Sequence, residues 1–449
     1  MELYRFRPIS RILGDKELED QYMFFTNSEQ QNDPLEGYVD FFWQGDFVAW
    51  MGLFKNYVWQ LYMCYINAML RADYNFISKM CFTCSDVCIS HPLLQKRNEI
   101  EQIFSCNEVV TKIAKKLCLN ATKINQQVLY LILLQIHSLA LNEVIQKLMK
   151  EKLLSPTNAT VLGNKISQIE NQLAIIQILD CQDLQQIANL IYTDRENHTI
   201  DIFSSMQDNL SGMSKEVKCF LLYTFPYKYI QEVKKLIFPR WYCVCFNTDY
   251  SNPIMWGHYA GKHTGVCLVF EKKTGEKFNL SSAGKVKQNS FEIEDVNYEI
   301  KPPSVNFFEG LGNLFGEERS RWLIHNNIQS ETYSKILKDA ESWRCDYWTK
   351  NKLRFIRKAS DWKHENEKRI FYDARYYGEL SDNECKFNYN FQDLTGIIFG
   401  VKTELVNKCT ILKILEQKCK QYKREKFNIF QAVYDSEQQK IEKILLRTI

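Results

Sequence analysis

Glycine nearly vanishes from the middle of this 449-residue chain: between residues 47 and 236 only Gly52, Gly163 and Gly212 occur, of 17 in all. In its place come Ile, Leu, Gln, Asn and Lys at helical spacing. Ile166, Ile169, Leu173, Ile176 and Leu179 step by three or four residues, as one apolar stripe of a helix requires. Ser155-Pro156-Thr157 and residues 208–214 read as breaks between helices. The block 47–236 is therefore expected to be an all-helical insertion of several antiparallel helices, with no internal repeat.

The flanks carry strand signals instead. Residues 3–7 read as a strand, 10–20 as a short helix and 22–26 as a second strand. Pro34 excludes helix at Asp33, so Asn32 and Asp33 should be presented at a loop tip. After the insertion, Tyr242, Val244 and Phe246 alternate with Cys243 and Cys245, and 266–270 is a compact apolar run. Lys301-Pro302-Pro303 breaks the chain and 316–357 reads as helical. Residues 368–372, 396–401 and 427–433 read as strands, 403–420 as a helix, and the polar end as helix-like. The expected fold is α+β: a split mixed α/β core, residues 1–46 with 237–449, interrupted by the helical insertion 47–236. Asn32 and Asp33 should then lie near Trp256 or Glu367.

Bulk properties exclude several classes. A formal charge of +3 gives no global basic field for nucleic acid. The basic run Lys413, Lys418, Lys420, Lys423, Arg424 and Lys426 reads as a solvated helix face. The first residues lack the apolar core of a signal peptide, and an odd count of 15 cysteines suits reduced thiols in a cytoplasm. Residues 47–70 and 128–141 are apolar but interrupted or short for a membrane span, so no membrane partner is expected. Cys81, Cys84, Cys88 and His91 approach zinc spacing, yet the cysteines also fall on one helix face as small apolar residues. His258 and His263, about 140° apart on a helix, would not face one ion. No metal is expected. Gly310, Gly312 and Gly316 do not have the spacing of a phosphate loop.

Two segments carry chemistry. Met255-Trp256-Gly257-His258-Tyr259-Ala260 leads into His263, and Lys358-Ala359-Ser360-Asp361-Trp362-Lys363-His364-Glu365-Asn366-Glu367-Lys368-Arg369 follows later. Aromatic faces beside imidazoles suit a flat or phosphorylated ligand. If residues 363–369 form a strand, Lys363, Glu365, Glu367 and Arg369 share one face, about 6.5–7 Å apart. A solvated edge strand, or a helix pairing Glu365 with Arg369, would explain the same pattern.

With Tyr4-Arg5-Phe6-Arg7, Asn32-Asp33-Pro34-Leu35-Glu36 and Thr395-Gly396-Ile397-Ile398-Phe399-Gly400, these segments resemble, in order, the bacterial domain of unknown function 2971 family. Residues 47–236 have no counterpart in it. Glu365-x-Glu367 further resembles the motif of ADP-ribosyltransferases, although Asn247 stands where that superfamily places a serine. The resemblance implies an ADP-ribosyltransferase-like sheet and NAD as substrate, with ADP-ribose transferred or NAD simply hydrolysed. Glu367 would oppose the oxocarbenium-like ribose and Glu365 would assist. Tyr4, Arg5, Arg7, Asn32, Asp33, Trp256, His258, Tyr259, His263 and Arg369 would hold the nucleotide. A protein or nucleic-acid acceptor, a trigger or second copy bound through the insertion, and a role in antiphage or abortive-infection defence belong to the same expectation. The alternative is a defence module that binds nucleotide or nucleic acid, including a magnesium nuclease using the Asn-Asp-Pro-x-Glu loop.

Overall fold

The computed structural model describes residues 1–71, 90–119, 122–155, 183–205, 213–273, 275–282, 290–374 and 380–449. The protein is α+β, and its contacts divide it into two compact units. One comprises 1–38, 239–303 and 350–449, the other 39–238 and 304–349. The helical stripe 166–179 and Cys81, Cys84 and Cys88 lie outside the described residues.

The first unit is built on a nine-stranded mixed sheet. Its strands are β1 (Glu2–Arg7), β2 (Thr26–Asn27), β3 (Trp241–Asn247), β4 (Val266–Glu271), β5 (Glu294–Asp295), β6 (Glu367–Asp373), β7 (Leu394–Phe399), β8 (Asn428–Asp435) and β9 (Lys440–Thr448). The order is β5-β6-β3-β1-β4-β7-β8-β9, with β2 on β3. Only β7 and β8 run parallel. β1 pairs with β4 along its whole length, Glu2↔Glu271 to Arg7↔Val266, so the N-terminal strand sits in the interior of the sheet.

Alternation sorts side chains to two apolar layers. Leu3, Val244, Phe246, Leu268 and Ile370 pack with Ile411 and Leu415 of the helix Leu405–Gln421. They also meet Phe278 and Phe387 of a second, four-stranded sheet. On the other face Tyr4, Phe6, Cys267, Val269 and Ile398 pack with Trp256 of the helix Pro253–Tyr259.

Two local expectations fail. The strand expected over 22–26 is divided: Tyr22–Phe24 pairs with Lys386–Tyr389 in the four-stranded sheet, while Thr26–Asn27 joins β3. The helix-like chain end is β9, held to β8 from Asp435↔Lys440 to Asn428↔Thr448. There, pairing across the sheet overrides the polar, helix-compatible composition.

The second unit is mostly helical. Its longest described helices, Phe47–Arg71 and Gln126–Lys150, bury aromatic and aliphatic side chains including Trp50, Tyr57, Leu61, Ile132 and Leu141. Gln126–Lys150 is long and apolar enough to cross a membrane, and 78% of its most apolar window is buried inside the protein. The stretch 47–236 is not purely helical: Ile124–Asn125 forms a strand beside Asp40–Trp43. Asp40–Trp43 pairs in turn with Ser304–Asn306, which brings 304–349 into this unit. Residues 316–357 are broken by the hairpin Ile324–His325/Ile328–Gln329.

Gly265 fixes where β4 begins. A Cβ there would lie 2.3 Å from the Arg7 carbonyl and 2.8 Å from the Ala260 carbonyl, both backbone atoms that cannot swing aside. Gly265→Ala should therefore destabilise the first unit by about 1–3 kcal/mol, read as a lowered urea midpoint. Gly257→Ala, whose Cβ meets only the His263 ring at 4.0 Å, should leave stability equal or slightly higher.

Candidate functional site

β1 and β3 share one residue pair, Tyr4↔Asn247, and part beyond it. A cleft of about 220 Å³ is walled by the two strands, Arg5, Phe6 and Arg7 on one side and Cys243, Val244 and Cys245 on the other. Because it opens where strands splay, consecutive residues of both strands line it. A site on one sheet face would take only every second side chain.

Arg5 is 6% exposed, and its guanidinium makes no hydrogen bond or ion pair with any described residue. Burial, then the charge of neighbouring Arg7, push its pKa down to about 10. It is still protonated at neutral pH, and a buried charge without a partner is destabilising until an anion meets it. Arg7 is different. It holds the buried Glu17 carboxylate in two-point fashion, Nε to Oε2 at 2.6 Å and Nη2 to Oε1. Arg11, also on the cleft, pairs with Asp15 at 2.7 Å.

The opposite wall is a buried ion network. Glu367 opens β6, and Arg369, two residues on, shares its face. Arg369 Nε and Nη2 grip the Glu367 oxygens at 2.7 and 2.9 Å. Nη1 of the same side chain donates to Glu36 and, at 2.7 Å, to the Phe355 carbonyl. Glu365 arrives by another route. The 3₁₀ turn Ser360–Glu365 ends at Asn366, whose φ of 45° is left-handed, and only then does the strand start. Asn247 Nδ2 holds the turn through the Glu365 carbonyl at 2.7 Å. Lys363, expected on the strand face, instead points to Glu299 at the surface, 3.2 Å away.

Lys358 joins the two carboxylates. Its Nζ donates to Glu365 and, at 3.1 Å, to Glu367 Oε2, and lies 4.9 Å from the Trp362 ring centre. Tyr259 Oη donates to Glu365 Oε1 at 2.6 Å and accepts from Asn32 Nδ2 at 3.1 Å. The Tyr298 hydroxyl accepts the Glu367 backbone N–H at 2.9 Å.

Burial would push the Glu367 carboxyl up, but Arg369 and Lys358 outweigh it and hold the pKa down to about 2. For Glu36 burial wins over Arg369, and its pKa is raised. Burial would lower the Lys358 ammonium, but Glu367 and Glu365 raise it.

Of the residues singled out from sequence, Arg5, Arg7, Asn32, Tyr259, Glu365 and Glu367 line this one cleft. The others do not. Tyr4 is buried on the far face of β1, its hydroxyl on Glu2. Trp256 is fully buried, edge-on to Phe6 at 5.1 Å, with its indole N–H on the Tyr250 carbonyl. Asp33 is turned inward to the N–H groups of Leu35 and Ala359, so it braces its loop instead of standing at the tip. His258 is exposed, and His263, at φ 72°, belongs to the turn after the helix. Arg369 is fully buried, is not among the lining residues, and has its donors on Glu36, Glu367 and the Phe355 carbonyl.

Lys358 was not assigned a role from sequence, Asn247 entered only as a departure from the superfamily's serine, and Glu36 only through the loop of the nuclease alternative. Lys358 opens the quoted segment, but it reaches Glu367 through an irregular turn that no periodicity reports. The Met255/Tyr259 spacing of four, which puts both side chains on the cleft side of their helix, was a usable signal.

The fold and cleft define an α+β protein with buried carboxylates and arginines around one polar cavity. Residues 255–370 match the protein family DUF2971, described as a protein of unknown function, so the chain carries a DUF2971 domain there. That stretch includes Tyr259, Lys358, Glu365, Glu367 and Arg369, while Arg5 and Glu36 lie outside it. The chain matches no curated protein and no solved structure.

Arg369→Met should cost about 3–5 kcal/mol, because it strands Glu36 and Glu367 without their partner. A lowered urea midpoint for the variant would register it. The Glu367 shift also sets a pH signature. Its folded value lies below its unfolded one, so its stabilisation is present above the ordinary carboxylate value of 4.5 and is lost as pH falls toward about 2. Unfolding midpoints taken from pH 5 downward should fall less steeply in Glu367→Gln than in the native chain.

Proposed function

We propose that the cleft binds NAD and cleaves its nicotinamide–ribose bond, passing ADP-ribose to water or to an acceptor. One observation carries this reading: an unpartnered buried arginine and a pair of buried carboxylates line the same cavity. NAD carries both complements, a pyrophosphate anion for Arg5 and a cationic nicotinamide riboside for the carboxylates. Glu36, Glu365 and Glu367 against Lys358 and Arg369 leave this wall one negative charge in excess when all are ionised.

The bonding favours Glu365 as the residue that meets the ribose. Glu367 accepts three side-chain hydrogen bonds, two of them from one guanidinium, which spreads its charge away from the cleft. Glu365 accepts two and retains lone pairs. In the reaction, the glycosidic C–N bond breaks with its electron pair leaving on nicotinamide. Glu365 opposes the oxocarbenium ion, water or an acceptor adds to the ribose carbon, and its proton passes to solvent or to Glu365. Glu367 acts as a positioning residue through Lys358. Consumption of NAD inside a cell arrests metabolism, as an abortive-infection defence requires.

The nuclease alternative is less well supported. Asp33 is committed to its loop, and Glu36, Glu365 and Glu367 are committed to Lys358 and Arg369. Among the described residues no group of three or more His, Cys, Asp or Glu side chains is arranged to hold a metal ion.

The test is nicotinamide release from NAD by the purified full-length chain, run beside labelled DNA and RNA with and without chelator. Glu365→Gln should keep the fold and NAD binding while turnover falls by at least 100-fold. Arg5→Ala should weaken NAD binding roughly 10- to 100-fold, for a lost charged hydrogen bond of about 1.5–3 kcal/mol. Unchanged nicotinamide release by Glu365→Gln, or nucleic-acid cleavage with no loss of NAD, would sink the proposal.

A further inference from the structure

Cys243 and Cys245 have no role in the chemistry above, yet both line the cleft. They alternate on β3, so they project from one side of the strand. Side chains at such spacing normally stand well apart, but here the two sulfurs lean together to 3.8 Å. Neither is in a disulfide. With metal–sulfur bonds of about 2.3 Å, two sulfurs bound to one ion lie ~3.8–4.0 Å apart in tetrahedral or trigonal geometry. The thiol pair already has that bite. Gln31 Nε2 donates to the Cys243 sulfur at 3.2 Å. Met255, whose side chain carries a third sulfur, is among the residues lining the same cleft.

We propose that Cys243 and Cys245 capture a soft monovalent cation of the copper(I) class on the cleft wall, with the Met255 thioether as third donor. The donor set decides the class. Thiolate and thioether sulfur select copper(I) over harder cations. Zinc would require further nitrogen or oxygen ligands, and among the described residues no group of three or more His, Cys, Asp or Glu side chains is arranged to hold a metal ion. Binding involves no change of oxidation state. Each S–H bond breaks with its electron pair kept on sulfur, two protons pass to solvent, and the two thiolates donate to the ion.

The ion would stand on the wall that the nucleotide reading gives to the ligand, so a loaded cleft would exclude NAD. That consequence rests on the proposed function; the binding itself does not.

The experiment titrates the reduced full-length protein, without oxygen, with copper(I) against a competing copper(I) chelator. The native chain should hold one more ion than Cys243→Ser/Cys245→Ser, and Cys245→Ala alone should lose that ion while keeping the native circular dichroism. Met255→Leu should weaken it about tenfold. Equal copper content in the native and double-variant proteins would overturn the site, and an unaltered affinity in Met255→Leu would remove the thioether from it. In parallel, copper should inhibit nicotinamide release by the native chain but not by Cys245→Ala. If no nicotinamide is released at all, the functional reading fails and the copper count still decides this one.

Discussion

The first unit is organised by a positive charge with no access to water. Arg369 spends its donors on Glu36, Glu367 and the Phe355 carbonyl, and so ties an N-terminal loop, a strand and the end of a helix to one point. In a low-dielectric interior such a group is tolerated only if its partners stay in place. That requirement orients the Glu367 carboxylate, and Glu367 in turn orients Lys358. Lys358 then aligns Glu365, which Tyr259 and Asn32 hold from the other side. The geometry of the cleft wall thus descends from one buried guanidinium.

The two walls are made differently, and the difference has chemical meaning. On the carboxylate wall each acidic group has a cationic partner, three carboxylates sharing two cations. The arginine wall differs: Glu17 pairs directly with Arg7, while the Arg5 guanidinium makes no hydrogen bond or ion pair with a described residue. A ligand that supplies the anion gains a partner already desolvated and already oriented.

Much of this was legible in the sequence. The glycine-poor block marks the helical part, and alternation in β1 places Arg5 and Arg7 on one side. Glu365 and Glu367 meet in space as their spacing suggested, though through a turn and not along a strand. What stayed hidden depends on contacts between distant segments. Trp256 and Tyr4 look like ligand-stacking aromatics, but they lie on the sheet face opposite Leu3 and are consumed by packing. The Lys358 role depends on the left-handed turn at Asn366, and that of Glu36 on a partner 333 residues away. The strand β9 is written in residues that read as a polar helix until β8 is beside it.

The interior position of β1 has a consequence in time. Its neighbours β3 and β4 end at residues 247 and 271, so a ribosome adding roughly 5–20 residues per second needs on the order of 10–50 s to deliver them. Until then the first strand waits without a partner, and Glu36 waits longer still for Arg369. A translation product that stops short of Arg369 cannot assemble the carboxylate wall. The cleft is complete only once Glu367, the last of its lining residues, has been made and folded back onto strands that emerged long before it.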